Sequence, residues 1–262
     1  LSGVSLGRVA YETFPLTAEN DFLPDLDAIP EETARRAKFI YINYPNNPTG
    51  AVATKAFYEK LVAWAKTYEV GVVSDLAYGA LGYRGYENPS FLSTPGAKDV
   101  GIEFYTFSKT FNMAGWRLAF AAGNDQMIEA LNLIQDHLFV GIFPALQEAG
   151  IAALLDPKSE EAVAQLNATY DSRRDAFVQA AAKIGWQAFP SRGSFYAWMP
   201  VPEGYTSESF ADLLLEKVHV AVAPGKGFGP AGDAYVRIGL LVEPERLVEA
   251  VDRIANLHLF NN

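Results

Sequence analysis

The chain has 262 residues, with 31 acidic against 21 basic side chains, a formal charge of -10, and half of its residues are hydrophobic. That size and apolar content allow one large folding unit or two modest ones and exclude a disordered chain. The negative charge repels phosphate backbones and anionic membrane surfaces, so neither a nucleic-acid partner nor a membrane partner is expected. Cysteine is absent, which removes disulfide frameworks, zinc thiolates, iron–sulfur clusters and cysteine nucleophiles, and is compatible with a reducing compartment. His137, His219 and His258 lie far apart without HExxH spacing, so no metal site is expected. No apolar run approaches the ~18 residues of a membrane span.

In chain order, Leu1-Ser2-Gly3-Val4 leads quickly into residues 12–30, rich in Pro, Asp and Asn, which read as a loop with one short extended piece at 13–16. This reads as entry in mid-fold, with earlier sequence upstream. Phe39-Ile40-Tyr41-Ile42-Asn43 is a continuous β-prone run of the kind buried on both faces of a sheet. Thr54 then caps a helix whose Phe57, Leu61, Trp64, Ala65 and Tyr68 recur at three- and four-residue steps. Residues 70–74, 102–107 and 116–121 predict three more strands. Strands separated by helices or long connections argue for an α/β fold with a mainly parallel sheet, which binds ligands at the carboxyl ends of its strands.

Beyond Gly123 the pattern predicts helices over 125–137, 144–155 and 159–184, strands over 186–189, 194–199, 218–223 and 235–240, and helices over 207–217 and 244–256. That is a smaller α+β unit, and the long helix places the boundary near residue 165. Gly225-Lys226-Gly227-Phe228-Gly229 is glycine-rich, but a strand rather than a helix follows it, so it reads as a turn and not a nucleotide loop. Ser191-Arg192-Gly193-Ser194 reads as a turn into a strand.

Polar residues stand just past each predicted buried strand: Tyr44-Pro45-Asn46-Asn47-Pro48-Thr49-Gly50 after the first, Asp75-Leu76-Ala77-Tyr78 after the second, and Ser108-Lys109-Thr110-Phe111-Asn112 after the third. Gly115-Trp116-Arg117 opens the fourth. Each segment alone has a plain reading: a turn, a helix cap, a surface lysine. Together they bring an amide, a carboxylate, a phenol, a lysine and an arginine to one sheet edge.

NYPNNPTG (43–50), SDLAYG (74–79), TFSKTFNMAGWR (106–117) and YVRIGLL (235–241), in this order and spacing, resemble the class I/II aminotransferases, pyridoxal-phosphate enzymes of the aspartate-aminotransferase fold. The wording is most similar to the methionine (2-oxo-4-methylthiobutanoate) transaminases, and similar also to LL-diaminopimelate aminotransferases around Pro95-Gly96-Ala97-Lys98-Asp99. The resemblance implies a cofactor-binding large domain over 1–165, lacking its N-terminal part, and a small domain over 166–262.

It also implies site roles. Lys109 would bond the aldehyde of pyridoxal 5'-phosphate and carry the proton between substrate and cofactor, while Asp75 would pair with the pyridine nitrogen. Asn47 and Tyr78 would hydrogen-bond the phenolic oxygen. Thr106, Ser108 and Arg117 would hold the phosphate, with Thr106 standing where the family more often has serine. Arg237 would grip the substrate α-carboxylate, with Asn47 beside it. The glycine-containing phosphate loop, the ring-stacking aromatic and a neighbouring subunit's tyrosine are expected upstream of this chain.

The implied activity is amino transfer from an L-amino acid to a 2-oxo acid in a cytoplasmic homodimer. Tyr83, Tyr86, Phe14 and the Ser194-Phe195-Tyr196-Ala197-Trp198 segment offer apolar surface suited to methionine-like or aromatic donors. The alternatives are LL-diaminopimelate or aspartate transamination, a carbon–sulfur β-lyase on the same fold, and a non-catalytic effector-binding domain.

Overall fold

In the computed structural model, which describes residues 2–260, four strands form one sheet in the order β1-β2-β3-β4. These are β1 Phe39–Asn43, β2 Gly71–Asp75, β3 Gly101–Thr106 and β4 Ala119–Gly123. β1, β2 and β3 are parallel, with Asn43 opposite Asp75 and Asp75 opposite Phe104, so three carboxyl ends meet on one edge. β4 runs antiparallel and sets Ala119 opposite Thr106. The sheet is mainly parallel, as the sequence predicts, with an antiparallel edge. The predicted strand at 116–121 begins later, because Ala114–Trp116 forms a 3-10 turn and Arg117 takes a left-handed conformation at φ 54.

Behind the sheet lies the helix Lys55–Tyr68. The Thr54 hydroxyl accepts the Phe57 N–H at 3.1 Å, and Glu69, left-handed at φ 56, ends the helix by returning its N–H to Ala65. Its buried face, including Phe57, Leu61 and Ala65, packs with Ile40, Ile42 and Val72 in one core, each large side chain contributing about 1.5–3 kcal/mol by burial. The other face of β1 is open: Phe39 and Tyr41 are 60% and 61% exposed. The unbroken β-prone run predicts burial on both faces, and the structure buries only the face that has the helix behind it.

The second unit is an antiparallel sheet in the order β5-β7-β6, made of β5 Tyr196–Pro200, β6 Ala223–Pro224 and β7 Tyr235–Gly239. Helices Ser207–Val218 and Pro244–Ala255 and the last turns of Ser159–Lys183 cover it, burying Phe177, Trp186, Met199, Phe210, Leu214, Val236, Val251 and Ile254 together. Trp186 donates its indole N–H to the Pro200 carbonyl at 2.7 Å.

Residues 13–16 lie in a loop, as the sequence predicts, and two predicted strands are shorter or missing. Residues 186–189 contribute one backbone bond to β5, from the Phe189 N–H to the Trp198 carbonyl, and form no strand. The stretch 218–223 shrinks to Ala223–Pro224, because His219 turns left-handed at φ 56 to end the preceding helix.

The two units are sewn together at several points. Tyr78, Leu81 and Phe195 form a small core with Leu166 and Tyr170 of the long helix. Ser191 donates its hydroxyl to the Gly50 carbonyl at 3.1 Å. Gly50 has φ +71, and a Cβ there would lie 2.2 Å from Ser191 Oγ, so no other residue fits without moving the junction. The Arg84 N–H donates to the Asp171 carboxylate at 3.0 Å, its guanidinium reaches Asp175 at 3.1 Å, and Arg174 reaches Asp175 at 2.7 Å.

Burial raises the Asp175 carboxyl, but the bonds and charges of Arg174 and Arg84 outweigh it and hold the group below its ordinary value of 3.8. A folded pKa below the unfolded one gives stability that is present above the unfolded value and is lost as pH falls through the folded one. Asp175→Asn is therefore expected to destabilise the protein by about 1 kcal/mol at neutral pH and by nothing in strong acid. Unfolding midpoints measured at both pH values check this; a difference that persists in acid contradicts it.

Candidate active site

Asp75, the last residue of β2, is braced on three sides. The Ala77 N–H donates to Oδ1 at 3.1 Å, the Tyr41 hydroxyl donates to Oδ2 at 3.1 Å, and the Asn43 side-chain amide donates to the Asp75 backbone carbonyl at 2.9 Å. Asn43 in turn accepts the Asn47 N–H at 2.9 Å. The turn itself is built by Asn46, whose side-chain oxygen accepts from the Thr49 N–H and hydroxyl at 3.2 and 2.8 Å. Asn47 is thereby left to face the other lobe, where its side-chain oxygen accepts from Arg237 Nη1 at 2.7 Å.

Arg237 stands in the middle strand of the second sheet, between Trp198 and Ala223. Its guanidinium carbon lies 4.2 Å from the Tyr196 ring centre and 4.7 Å from that of Phe228. A guanidinium held between two aromatic faces keeps its planar edge directed and its charge only weakly hydrated. Tyr196 continues to Tyr78 at 6.0 Å between ring centres, and Tyr78 to Phe195 at 5.2 Å. The Lys109 ammonium lies 5.2 Å from the Phe195 ring centre and 5.9 Å from that of Tyr78.

Lys109 rides on the short helix Phe107–Thr110. Thr106 caps it, accepting the Ser108 N–H at 3.2 Å and donating to the Ser108 hydroxyl at 3.0 Å, so the two hydroxyls stand side by side. Burial first, then the Tyr196 hydroxyl and the Asp75 charge, push the Tyr78 phenol up, with Arg237 opposing. Tyr78 therefore stays protonated through the neutral range and offers a donor.

Contacts thus run without a gap from Asp75 through Asn43, Asn47, Arg237, Tyr196 and Tyr78 to Lys109. Among the predicted phosphate ligands, Thr106 and Ser108 touch each other. Arg117 stands apart: its guanidinium donates to the Ala114 carbonyl at 3.1 Å, with no bond to Thr106 or Ser108 among the described residues.

Tyr41, Asn43 and Phe228 join the site without having been anticipated. Tyr41 and Asn43 carried a signal, since residues two apart in a strand share the face on which Asp75 sits. Phe228 belongs to the glycine-rich segment, which forms the turn Gly225–Phe228 and, at its end, delivers this ring to Arg237. Of the apolar surface proposed for substrate, Tyr83 lies under Arg174, Tyr86 beside Arg192 and Phe14 against the first core, while Phe195, Tyr196 and Trp198 meet the site, Trp198 opposite Arg237 and against Phe228. A cavity of about 450 Å³, lined by Lys38, Phe39, Lys66, Asp99 and Met127 among others, includes none of the site residues. The described residues contain no cluster of potential metal ligands and no helix long and apolar enough to cross a membrane.

Residues 2–254 match the family described as aminotransferase class I and II. The chain belongs to the class I and II aminotransferases. An L-glutamine--4-(methylsulfanyl)-2-oxobutanoate aminotransferase of Bacillus subtilis (strain 168) is 56% identical over 259 residues, covering 99% of this chain and 65% of that protein. An LL-diaminopimelate aminotransferase of Moorella thermoacetica is 50% identical over 240 residues, covering 92% of this chain and 61% of that one. Among solved structures, substrate-bound BacF from Bacillus subtilis superposes with a TM-score of 0.93 at 45% identity, covering 99% of this chain and 66% of the other. This aminotransferase chain thus spans slightly less than two thirds of the length of the relatives it matches. The fold is that of pyridoxal-phosphate aminotransferases, and members of the class use that cofactor.

Proposed function

We propose that the protein transfers an amino group from an L-amino acid to a 2-oxo acid with pyridoxal 5'-phosphate as cofactor. The observation that carries this reading is the run of contacts that links Asp75, Asn47, Tyr78 and Lys109 of the first lobe to Arg237 of the second. The donor set suits a phosphorylated pyridine aldehyde: an acid with open lone pairs for a ring nitrogen, a phenol and an amide for the phenolic oxygen, the adjacent hydroxyls of Thr106 and Ser108 for the phosphate, and a primary amine for the aldehyde. Bound pyridoxal phosphate supplies an electron sink that drains charge from the substrate α-carbon.

The chain's own residues supply the rest. Arg237 offers a rigid, directed fork for the α-carboxylate. Asn47 holds that fork from the first lobe, so carboxylate binding and lobe position are coupled. Lys109, its side-chain nitrogen over two aromatic rings, would as the free amine take a proton from the α-carbon and return it. Phe195 and Tyr196 line the approach with apolar surface, which supports methionine-like or aromatic substrates.

A cytoplasmic homodimer belongs to the same reading. The exposed Leu138, Phe139, Val140 and Phe143 offer apolar surface for a second subunit, and the lack of cysteine suits a reducing compartment.

The test is to supply the loaded protein with glutamine and 4-(methylsulfanyl)-2-oxobutanoate and follow methionine, with LL-diaminopimelate or aspartate as competing donors and cystathionine as a lyase substrate. In the reverse direction, with 2-oxoglutarate as acceptor, kcat/KM for methionine is expected to exceed that for aspartate by about tenfold or more. A specificity constant for aspartate above that for methionine removes the substrate assignment. Pyruvate and ammonia from cystathionine without amino transfer move the protein to β-elimination.

A further inference from the structure

We propose that Tyr41 is a positioning residue for Asp75: its phenol hydroxyl, bonded to Oδ2, stabilises the carboxylate as an anion, so that a proton shared with the cofactor's ring nitrogen stays on the nitrogen. This rests on the functional reading above. Tyr41 lies opposite Val73 in the β1–β2 ladder, and Asp75 is two residues further along β2 on the same face. The tyrosine therefore reaches diagonally along the sheet to the carboxylate, a span suited to a long aromatic side chain. The hydroxyl meets Oδ2 at 3.1 Å while the Ala77 N–H meets Oδ1 at 3.1 Å.

A carboxylate has about four lone-pair sites. These two donors sit on different oxygens and leave positions open on both. The Ala77 donor is main-chain and survives almost any substitution. The Tyr41 hydroxyl is the one side-chain donor to this carboxylate among the described residues, and so the one that the sequence can tune.

Among the described residues Tyr41 is 61% exposed, whereas Ile40 and Ile42 on the other face of β1 are buried. Burial of the hydroxyl and the neighbouring Asp75 charge push the phenol well above its ordinary range, so it remains a donor at neutral pH. A hydrogen bond donated to a carboxylate favours its charged form. Without it, the acid competes more strongly for the shared proton, and the ring nitrogen is protonated for a smaller fraction of the time.

The experiment uses the full chain loaded with pyridoxal phosphate carrying 15N in the ring, compared with Tyr41→Phe. The wild type is expected to show the ring nitrogen in the protonated chemical-shift range, and Tyr41→Phe to move it toward the unprotonated range. The first half-reaction should slow by about tenfold, with the donor KM changed by less than about twofold. Tyr41→Gln, a different shape that still donates, should keep the nitrogen protonated, which ring packing alone would not do. If Tyr41→Phe does not fold, Tyr41→Gln against Tyr41→Met makes the same comparison. An unmoved 15N shift in the variants lacking the donor overturns the inference and leaves the aminotransferase reading intact. A rise in KM with the shift unmoved assigns Tyr41 to packing and also overturns it. A wild type that takes up no cofactor overturns both.

Discussion

Lys109→Ala is expected to abolish the near-visible absorption that the wild type gains with pyridoxal phosphate, and to lower turnover by more than about ten-thousand-fold, while the fold survives. Among the described residues no other amine lies over the Phe195 and Tyr78 rings, where the Lys109 ammonium sits at 5.2 and 5.9 Å. In the proposed role the lysine both bonds the cofactor and moves the proton, so its loss would remove two catalytic contributions at once. The structural loss is small. The helix Phe107–Thr110 is held by buried Phe107 and Thr110 and by the Thr106 cap, none of which involves the lysine side chain. The ammonium–ring contacts are worth about 0.5–2 kcal/mol, and alanine is a good helix former. Absorbance titration with the cofactor, amino-acid turnover and the unfolding midpoint decide the matter together. Turnover within tenfold of the wild type refutes the assignment.

Asp75→Ala is the second large effect, and of a different kind: cofactor uptake remains, and proton removal from the substrate slows by about a thousandfold. An anion facing the ring nitrogen favours its protonated form, and preorganised charge of this sort is among the largest contributions to catalysis. The local framework is spared, because the Asn43 amide bonds the Asp75 backbone carbonyl rather than the carboxylate. Two donors, the Tyr41 hydroxyl and the Ala77 N–H, lose their acceptor, at a cost of about 1–3 kcal/mol if they stay dry. Single-turnover kinetics by rapid mixing separates this from Lys109→Ala. A rate equal to that of the wild type is incompatible with the proposed role.

The strand ends were legible in the sequence because their chemistry is abrupt. Phe39 to Asn43 gives way to the Asn-Pro-Thr-Gly turn, and Val72-Val73-Ser74 to Asp75, so a carboxylate and an amide stand where apolar runs stop. The order of the motifs then carried Arg237, almost two hundred residues from Asn47, to the same site, and the structure joins the two at 2.7 Å. What stayed hidden was the surroundings of these groups. Tyr41 lay within a run that reads as core, and only the sheet register shows that its face is open and its hydroxyl on Asp75. Phe195 and Tyr196 read as generic apolar surface, yet one lies beside the lysine ammonium and the other stacks on the arginine. β4 was misplaced because Ala119, Ala121 and Ala122 have no strong periodicity, and its start is set by the left-handed Arg117 rather than by propensity. The segment 186–189 has strand composition, but a single backbone bond does not make a ladder.

The meeting of Gly50 with Ser191 has a further bearing on how variants of this protein are interpreted. The loop that carries Asn47 and the segment that leads into β5 touch there through a carbonyl, a hydroxyl and empty space the size of one hydrogen. Adding even a methyl group at Gly50 would push the two segments apart where they meet. Inactivity after such a change would report broken alignment, not missing chemistry, and an intolerant position here is no sign of contact with substrate.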